Sequence, residues 1–318
     1  MATFLDYFNT SMQNHVLGSI VDQVSKGNVL ANLAIRKASY IDGGSFIAQP
    51  VYIQLPTSAV KAYRGVVTFP DNTLELEASM VFQICFYGVN IELMGTDLAL
   101  NKGLKQTVNL IRSRMAGGEI AMRQRFGSDI FGDGTTDGGN SFIGLAAAID
   151  DGSLYDNYGG FSRAAYPVIK SNVLSNGTNR ALTPSLIDTA DQEAKIGTDR
   201  SSLHVTTPGC VTRLASYIQS TQRAVQGDIG SWGFRNIAWH GYPVLADDFC
   251  PTSPGEFYYL LNPRFLQMWF LSGRFFQWIP FYHIPKTDTY CSNIFTACAF
   301  LCSSPRMQAV IRNLNSAL

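Results

Sequence analysis

GTDLALNKGLKQTVNLIRSRMAGGEIAMRQRFG, residues 95–127, carries apolar side chains at Leu100, Leu104, Val108, Ile111, Met115, Met122 and Phe126, with Gly118 in the one turn that lacks one. Steps of three and four residues repeated over this distance predict a single long helix with one apolar stripe. Thr96 or Asp97 is placed to cap its start, and Gly127 to end it. At about 1.5 Å per residue it runs about 45 Å, far beyond the common length of about 11–12 residues. The other face bears Lys102, Lys105, Arg112, Arg114, Arg123 and Arg125 against only Asp97 and Glu119, a local charge of +4 in a chain whose formal net charge is zero. Two readings stand: a solvated helix face, or a rigid strut whose basic side meets something anionic.

Upstream, residues 45–94 change character. Segments 45–55, 62–69 and 81–93 have strand composition, separated by Pro56-Thr57-Ser58 and Pro70-Asp71-Asn72. The first two predict a long thin hairpin, which is marginal alone in water and needs a surface to lie on. In the third, alternation places Phe82, Ile84 and Phe86 on one side and Gln83, Cys85 and Tyr87 on the other. Further back, residues 12–37 predict two short amphipathic helices broken at Gly27-Asn28, striped by Val16, Leu17, Ile20, Val21 and Val24 and then by Val29, Leu30 and Leu33. That stripe can pack on its own core or on a neighbour.

Downstream comes the Gly/Asp-rich turn 127–139, expected to act as a hinge. Helices are predicted at 142–149, at 182–196 with Thr183 as cap and Pro184 first inside, and at 209–222. Strands are predicted at 203–207, 234–246, 256–261, 265–271, 275–282 and 292–302, and residues 307–314 end the chain. Helices set between runs of strands make this an α+β order.

A chain of 318 residues has room for a sizeable core, as one large domain or two interlocked ones. Charged residues make up 15%, below the usual quarter, while aromatics reach 12%, which fits a surface largely covered by other subunits. Zero net charge argues against tight sequence-independent nucleic-acid binding by the whole molecule. The six cysteines form no CxxC pair and sit mostly in apolar runs, so they read as buried reduced thiols suited to a reducing cytoplasm. The first residues lack a basic n-region, and the apolar window 257–282 is interrupted by Pro263, Arg264, Arg274 and Pro280, so neither a secretory signal nor a membrane span is expected.

Catalytic chemistry is hard to find. His15, His204, His240 and His283 share no metal-binding spacing, and HExxH is absent. Asp129, Asp133 and Asp137 do not follow the EF-hand spacing, and Gly132-Asp133-Gly134 lacks the Lys-Ser/Thr of a phosphate loop. Gly160-Phe161-Ser162-Arg163-Ala164 lacks the second glycine of a nucleophile elbow. Asp150-Asp151 and Asp247-Asp248 lie in turns, where carboxylates usually cap. Asn176-Gly177-Thr178 matches a glycosylation sequon, and without a secretory route it is a turn. No catalytic, cofactor or metal residue is therefore assigned; a hydrolase using Ser162 or the Asp133/Asp137 turn is the remote alternative.

FIGLAAAIDDG at 142–152 and YGGFSRAAYPVIK at 158–170 resemble the segment that opens the A-domain of tailed-bacteriophage major capsid proteins. LHVTTPGCVTRLASYI (203–218) resembles that family's strand-then-helix, FRNIAWHGYPVLADD (234–248) with FYYLLNPRFL (257–266) its later strand pair, and LCSSPRMQAVIRNL (301–314) its closing strand. The resemblance covers about residue 40 to the end. It implies an α+β tailed-phage major-capsid fold with an N-terminal arm (1–44), an extended E-loop hairpin (45–82), a P-domain (83–139 and 263–303, spine helix about 96–126) and an A-domain (140–262 and 304–318). Placed in that spine, the apolar stripe packs on the closing strands, Gly117-Gly118 becomes a bend point, and the six basic residues face the genome or acidic neighbours. The resemblance also implies a non-enzymatic shell protein of hexamers and pentamers enclosing double-stranded DNA, assembled in the bacterial cytoplasm and located in the virion. Its partners are further copies of itself, a portal, a separate scaffolding protein, decoration proteins where used, and DNA through weak non-specific contact; no membrane and no cofactor are implied. An encapsulin-type compartment is the alternative on the same fold. No Lys–Asn–carboxylate trio for intersubunit crosslinking is aligned, and none is assigned.

Overall fold

The computed structural model describes residues 28–55, 57, 60–68, 77–100, 104–221 and 237–317, without the side chains of 99, 100, 104–110, 112, 113, 116, 119, 123 and 219–221. The first helix, α1 (Val29–Arg36), starts at Asn28, whose Oδ1 accepts the Ala31 N–H. The stripe of the preceding predicted helix (Val16 to Val24) lies outside the described residues.

Two sheets carry the fold. The first joins β1 (Ser39–Ile41), β12 (Leu266–Leu271), β14 (Thr289–Cys302) and β13 (Gln277–His283), with β4 (Cys85–Met94) on the free edge of β14. β14 is the shared strand: β12 and β13 follow one another along one edge, and β4 runs antiparallel along the other from Thr289↔Met94 to Cys298↔Cys85. Its sequence TYCSNIFTACAFLC is apolar on both faces because both are covered.

The second sheet has the order β7 (Asn172–Leu174), β15 (Ala309–Leu314), β11 (Glu256–Leu261), β8 (Leu203–Thr206), β10 (Tyr242–Ala246) and β9 (Ile237–Trp239). Helices α5 (Pro184–Ala194) and α6 (Pro208–Thr221) cover one of its faces. Alternation along β11 divides the core: Tyr258 and Leu260 pack under these helices, while Tyr259 and Leu261 join the main core shared with the first sheet. The chain passes between the sheets at 262–265 and again at 303–308.

The long-helix expectation holds in part. Helical structure begins at Gly95 itself, directly after β4, so neither Thr96 nor Asp97 is the cap. It is described as α2 (Gly95–Leu100) and α3 (Leu104–Ile130), with 101–103 outside the described residues. Ile111, Met115, Met122 and Phe126 are buried as the stripe requires; the side chains of Leu100, Leu104 and Val108 lie outside the described set. The stripe packs chiefly on β4, reached first in the chain, and Phe126 stacks among Tyr87, Phe142 and Phe276.

The glycines of α3 correct one expectation, the helix end at Gly127. The helix runs unbroken through Gly117-Gly118. A side chain at Gly118 would press on Val89 and Ile91 at 3.2 Å, so that glycine lets helix and strand close up. Gly127 does not end the helix. It faces Asn28 and Phe249 so closely that a Cβ would lie 2.2 Å from the Asn28 amide nitrogen.

β2 (Phe46–Tyr52) pairs antiparallel with β3 (Glu77–Gln83), not with 62–69; no strand occurs among the described residues 60–68. The predicted third strand is therefore two, β3 and β4, with Ile84 between them. That break resets the alternation: Phe82 and Ile84 are buried, whereas Phe86 is 67% exposed. Likewise the described part of the predicted strand 234–246, residues 237–246, is a hairpin of β9 and β10, turned by His240 and Gly241, both at positive φ.

The shorter elements follow local chemistry. Residues 142–149 yield only the single turn α4 (Leu145–Ala148), and Gly144 lies against the carbonyls that finish α3, leaving no room for a side chain. Pro184 opens α5 as predicted, although Thr183 bonds the Ser185 hydroxyl rather than capping a backbone N–H.

Candidate assembly surfaces

The β2–β3 hairpin has a buried root and an apolar limb. At the root Ile47, Met80 and Phe82 are buried, the Phe82 ring meets Tyr158 edge-on at 5.3 Å, and the Val81 N–H donates to the Gly159 carbonyl. Gly159, at φ 58°, leaves room for Met80 that a Cβ would take. Beyond Tyr52 the limb leaves the core: Leu55 is 68% exposed, Val60 77%, Tyr63 61% and Val66 fully. Large apolar side chains grouped on one projecting limb mark an interaction surface, unlike apolar residues scattered singly.

Of the six basic positions, Lys102 lies outside the described residues, as do the side chains of Lys105, Arg112 and Arg123. Arg114 is more than half exposed and sits 3.6 Å from Asp97 of α2. Arg125 binds two carboxylates, its Nε donating to Asp129 and its terminal nitrogen to Asp137, both at 2.8 Å. The charge of Arg125 is thus compensated inside the subunit.

The 127–139 stretch is half helix and half tied turn. Asp129, almost wholly buried, also accepts the Tyr87 hydroxyl at 2.9 Å, and that hydroxyl accepts the Phe142 N–H at 3.1 Å. One carboxylate therefore joins β4, the end of α3 and the segment that follows. Asp133 accepts both the N–H and hydroxyl of Thr135, and the Tyr155 hydroxyl. Burial pushes its carboxyl up, but these hydrogen bonds outweigh burial and leave it below the usual range. Asp137 takes positive φ at 54° beside Gly138. All three aspartates hold turns and partners.

Ser162 Oγ accepts the Ala165 N–H, and its loop turns about Arg163. Arg163 is fully buried, donating to the carbonyls of Tyr155, Ala147 and Ala148, with its guanidinium over the Tyr158 ring. Arg312 and Asp150 form a buried pair at 2.8 Å, and Asp150 also accepts the N–H groups of Gly152, Leu154 and Tyr155. These residues tie the segment 147–163 to itself and to β15. Nothing in their spacing marks them beforehand except arginine inside an otherwise apolar, glycine-rich segment.

His204 is buried, bonded through Nδ1 to the Tyr258 hydroxyl, and pushed down by that burial to about 4. All six cysteines are free thiols; burial pushes Cys210 up to about 11 and Cys302 to about 12. Cys210 and Cys302 thus pack as small apolar groups and are poor nucleophiles. Among the described residues no group of three His, Cys, Asp or Glu is placed to hold a metal, and no helix is long and apolar enough to cross a membrane.

No protein-family profile matches this sequence, and no curated protein sequence matches it. Solved structures do. The capsid asymmetric unit of cyanophage A-1(L) superposes with a TM-score of 0.69 at 14% identity, over 91% of this chain and 93% of that one. The holo-SrpI encapsulin of Synechococcus elongatus PCC 7942 superposes at 0.57 and 12% identity, over 89% and 88%. The capsid of Myoviridae phage XM1 superposes at 0.54 and 12% identity, over 85% and 86%. These likenesses span 85–91% of this chain: the chain has the α+β fold of tailed-phage capsid proteins.

Proposed function

We propose that this chain is a structural, non-catalytic major capsid subunit that assembles as hexamers and pentamers into an icosahedral-type head around double-stranded DNA. The observation that carries this reading is the hairpin, whose root is core and whose limb exposes Leu55, Val60, Tyr63 and Val66. A neighbouring copy receives that limb, and the same heterologous contact, repeated, closes into rings and a shell. The first sheet with α3 serves as P-domain (83–139 and 263–303), the second sheet as A-domain (140–262 and 304–318), the hairpin as E-loop (45–82) and 1–44 as arm. Portal, scaffolding and decoration proteins are the further partners, and the virion is the location.

Lys102, Lys105, Arg112, Arg114 and Arg123 supply the basic side toward DNA or acidic neighbours, with Arg125 already neutralised by Asp129 and Asp137. Electron microscopy of the purified protein, alone and co-expressed with its genomic neighbours, tests the assignment. Closed shells support it, and monomers under every assembly condition overturn it. The likeness to an encapsulin favours a second reading, a cell-built compartment holding protein cargo. Packaged DNA decides for a virion, and packaged protein for a compartment.

A further inference from the structure

Cys85 and Cys298 stand directly opposite each other as the last rung of the β4–β14 ladder. Opposed residues of an antiparallel pair send their side chains to the same face. The rung type follows from the neighbouring amides. Ala297 N–H donates to the Arg274 carbonyl and Ser303 N–H to that of Phe265, so odd-numbered residues here address the β12–β13 side. Even-numbered Cys298 therefore addresses β4, which makes its rung a hydrogen-bonded one, with Cα atoms about 5.5 Å apart. Disulfides span about 4.4–6.8 Å between Cα atoms.

Both thiols are reduced in this structure, and they differ in access. Cys298 is fully buried, while Cys85 is partly exposed and lines a cavity of about 570 Å³ with Gln83, Asp133, Ser141, Phe142 and Phe300. Phe300 shares the face of Cys298, so the cavity reaches the Cys85 side of the rung while Cys298 lies beneath its lining.

We propose that Cys85 and Cys298 are a reversible disulfide site, closed by a small disulfide oxidant that enters through this cavity. The Cys85 thiolate attacks oxidised glutathione, forming a mixed disulfide and releasing one glutathione thiolate. The Cys298 thiolate then attacks the Cys85 sulfur, forming the Cys85–Cys298 bond and expelling the second. Two protein thiols are oxidised, one glutathione disulfide is reduced to two thiols, and the two protons pass to the glutathione released. Burial raises both thiols above the usual range, with Asp129 adding to it, so the reaction is slow at neutral pH and faster in alkali. Opposed Cβ atoms on a hydrogen-bonded rung lie near 5.5 Å, against about 3.5–4.5 Å in a disulfide, so the end of β4 must draw in by about 1 Å. Ile84 next to it belongs to no strand but is held by burial and by its N–H on the Ser45 carbonyl, so the movement falls on the Cys85 end of β4. A bond closed under that strain is easily reduced again. Closed, it pins the root of the hairpin to the central strand. The inference needs only the fold, not the shell.

The test uses the folded full-length chain, incubated with oxidised glutathione, then unfolded, alkylated and mapped by mass spectrometry without reduction. The expected result is a Cys85–Cys298 linked peptide, loss of two alkylatable thiols, and a melting temperature raised by a few degrees that dithiothreitol returns. In Cys298→Ala, glutathione is expected to stay on Cys85. Cys85→Ser, which leaves the core intact, is expected to give no link and no thermal shift. Glutathione remaining on Cys85 in the wild-type chain, a link from Cys85 to another cysteine, or no reaction of either thiol in alkali overturns the proposal.

Discussion

Gln308 accepts the Asn262 N–H at 2.7 Å through its side-chain oxygen and returns a bond to the Asn262 carbonyl at 3.4 Å. Both residues are buried, and each belongs to one of the two short passages, 262–265 and 303–308, by which the chain changes sheet. A single side chain thus ties the outgoing passage to the returning one. Gln308→Leu keeps the volume and leaves the Asn262 N–H without a partner in the interior, while the Asn262 carbonyl keeps the Phe265 N–H. We expect it to lose about 1–3 kcal/mol. A urea titration reads this as a lowered midpoint, with Gln308→Glu, which buries a charge at neutral pH, lower still.

Three glycines in α3 should respond to alanine in three different ways. Gly117 has open space around its missing Cβ, so Gly117→Ala should stabilise by about 0.4–1 kcal/mol through the unfolded chain. At Gly118 the 3.2 Å contacts with Val89 and Ile91 offset that gain, and the change should be small. At Gly127 the Asn28 amide and the Phe249 ring leave no space, and Gly127→Ala should cost about 1–3 kcal/mol. Thermal melts of the three variants check the order, which a uniform helix-propensity effect would not produce.

Asp247 carries a pH dependence of predictable sign. Burial raises its carboxyl above the ordinary value of 3.8, against the lowering effect of the Phe249, Leu30 and Val29 N–H groups it accepts, with Asp248 raising it further. The folded state therefore holds this proton more tightly than the unfolded state. Its contribution to stability is greatest below the unfolded value and is lost as pH rises from there through the folded one. Asp247→Asn cannot ionise, so the stability of the wild-type chain minus that of the variant should fall between pH 3.5 and pH 7. Paired urea titrations at the two pH values measure the difference; a rise would contradict the assigned direction.

Removing the hairpin limb between Tyr52 and Glu77, with a short turn in its place, should leave a folded subunit that does not assemble. Its root is independently held by Met80, Phe82 and the Gly159 carbonyl. Circular dichroism with a cooperative melt, together with the loss of particles in electron microscopy, is the expected pair of results. Loss of the subunit's own melt would show instead that the limb belongs to the core.

What the sequence discloses here depends on the range of the forces involved. FYYLL of β11, Pro184 at the start of α5 and the stripe Ile111–Met115–Met122–Phe126 follow from local periodicity and local geometry, and all were legible. The partner of β2 was not, because the choice between 62–69 and 77–83 is made by Tyr158 and Gly159, far along the chain. Gly127 looked like a helix end since glycine often is one; its actual reason is the approach of Asn28 and Phe249. Among the proposed assembly residues, the apolar limb shows as unpartnered strand composition. The compensation of Arg125 depends in part on Asp137, which comes within reach only once the turn after α3 is built.

The pairing of β4 with β14 also has a mechanical meaning. β3 continues into β4 with only Ile84 intervening, and β4 lies against β14 from Cys85 to Met94. A pull on the hairpin along the strand direction loads these rungs in shear, all together, instead of unzipping them one by one. The tension passes into β14, whose other edge is held by β12 and β13, and spreads across the whole sheet. The limb is thus anchored as a tie-rod is, and the first part to yield under load should be the limb's grip on whatever it holds, before the sheet behind it.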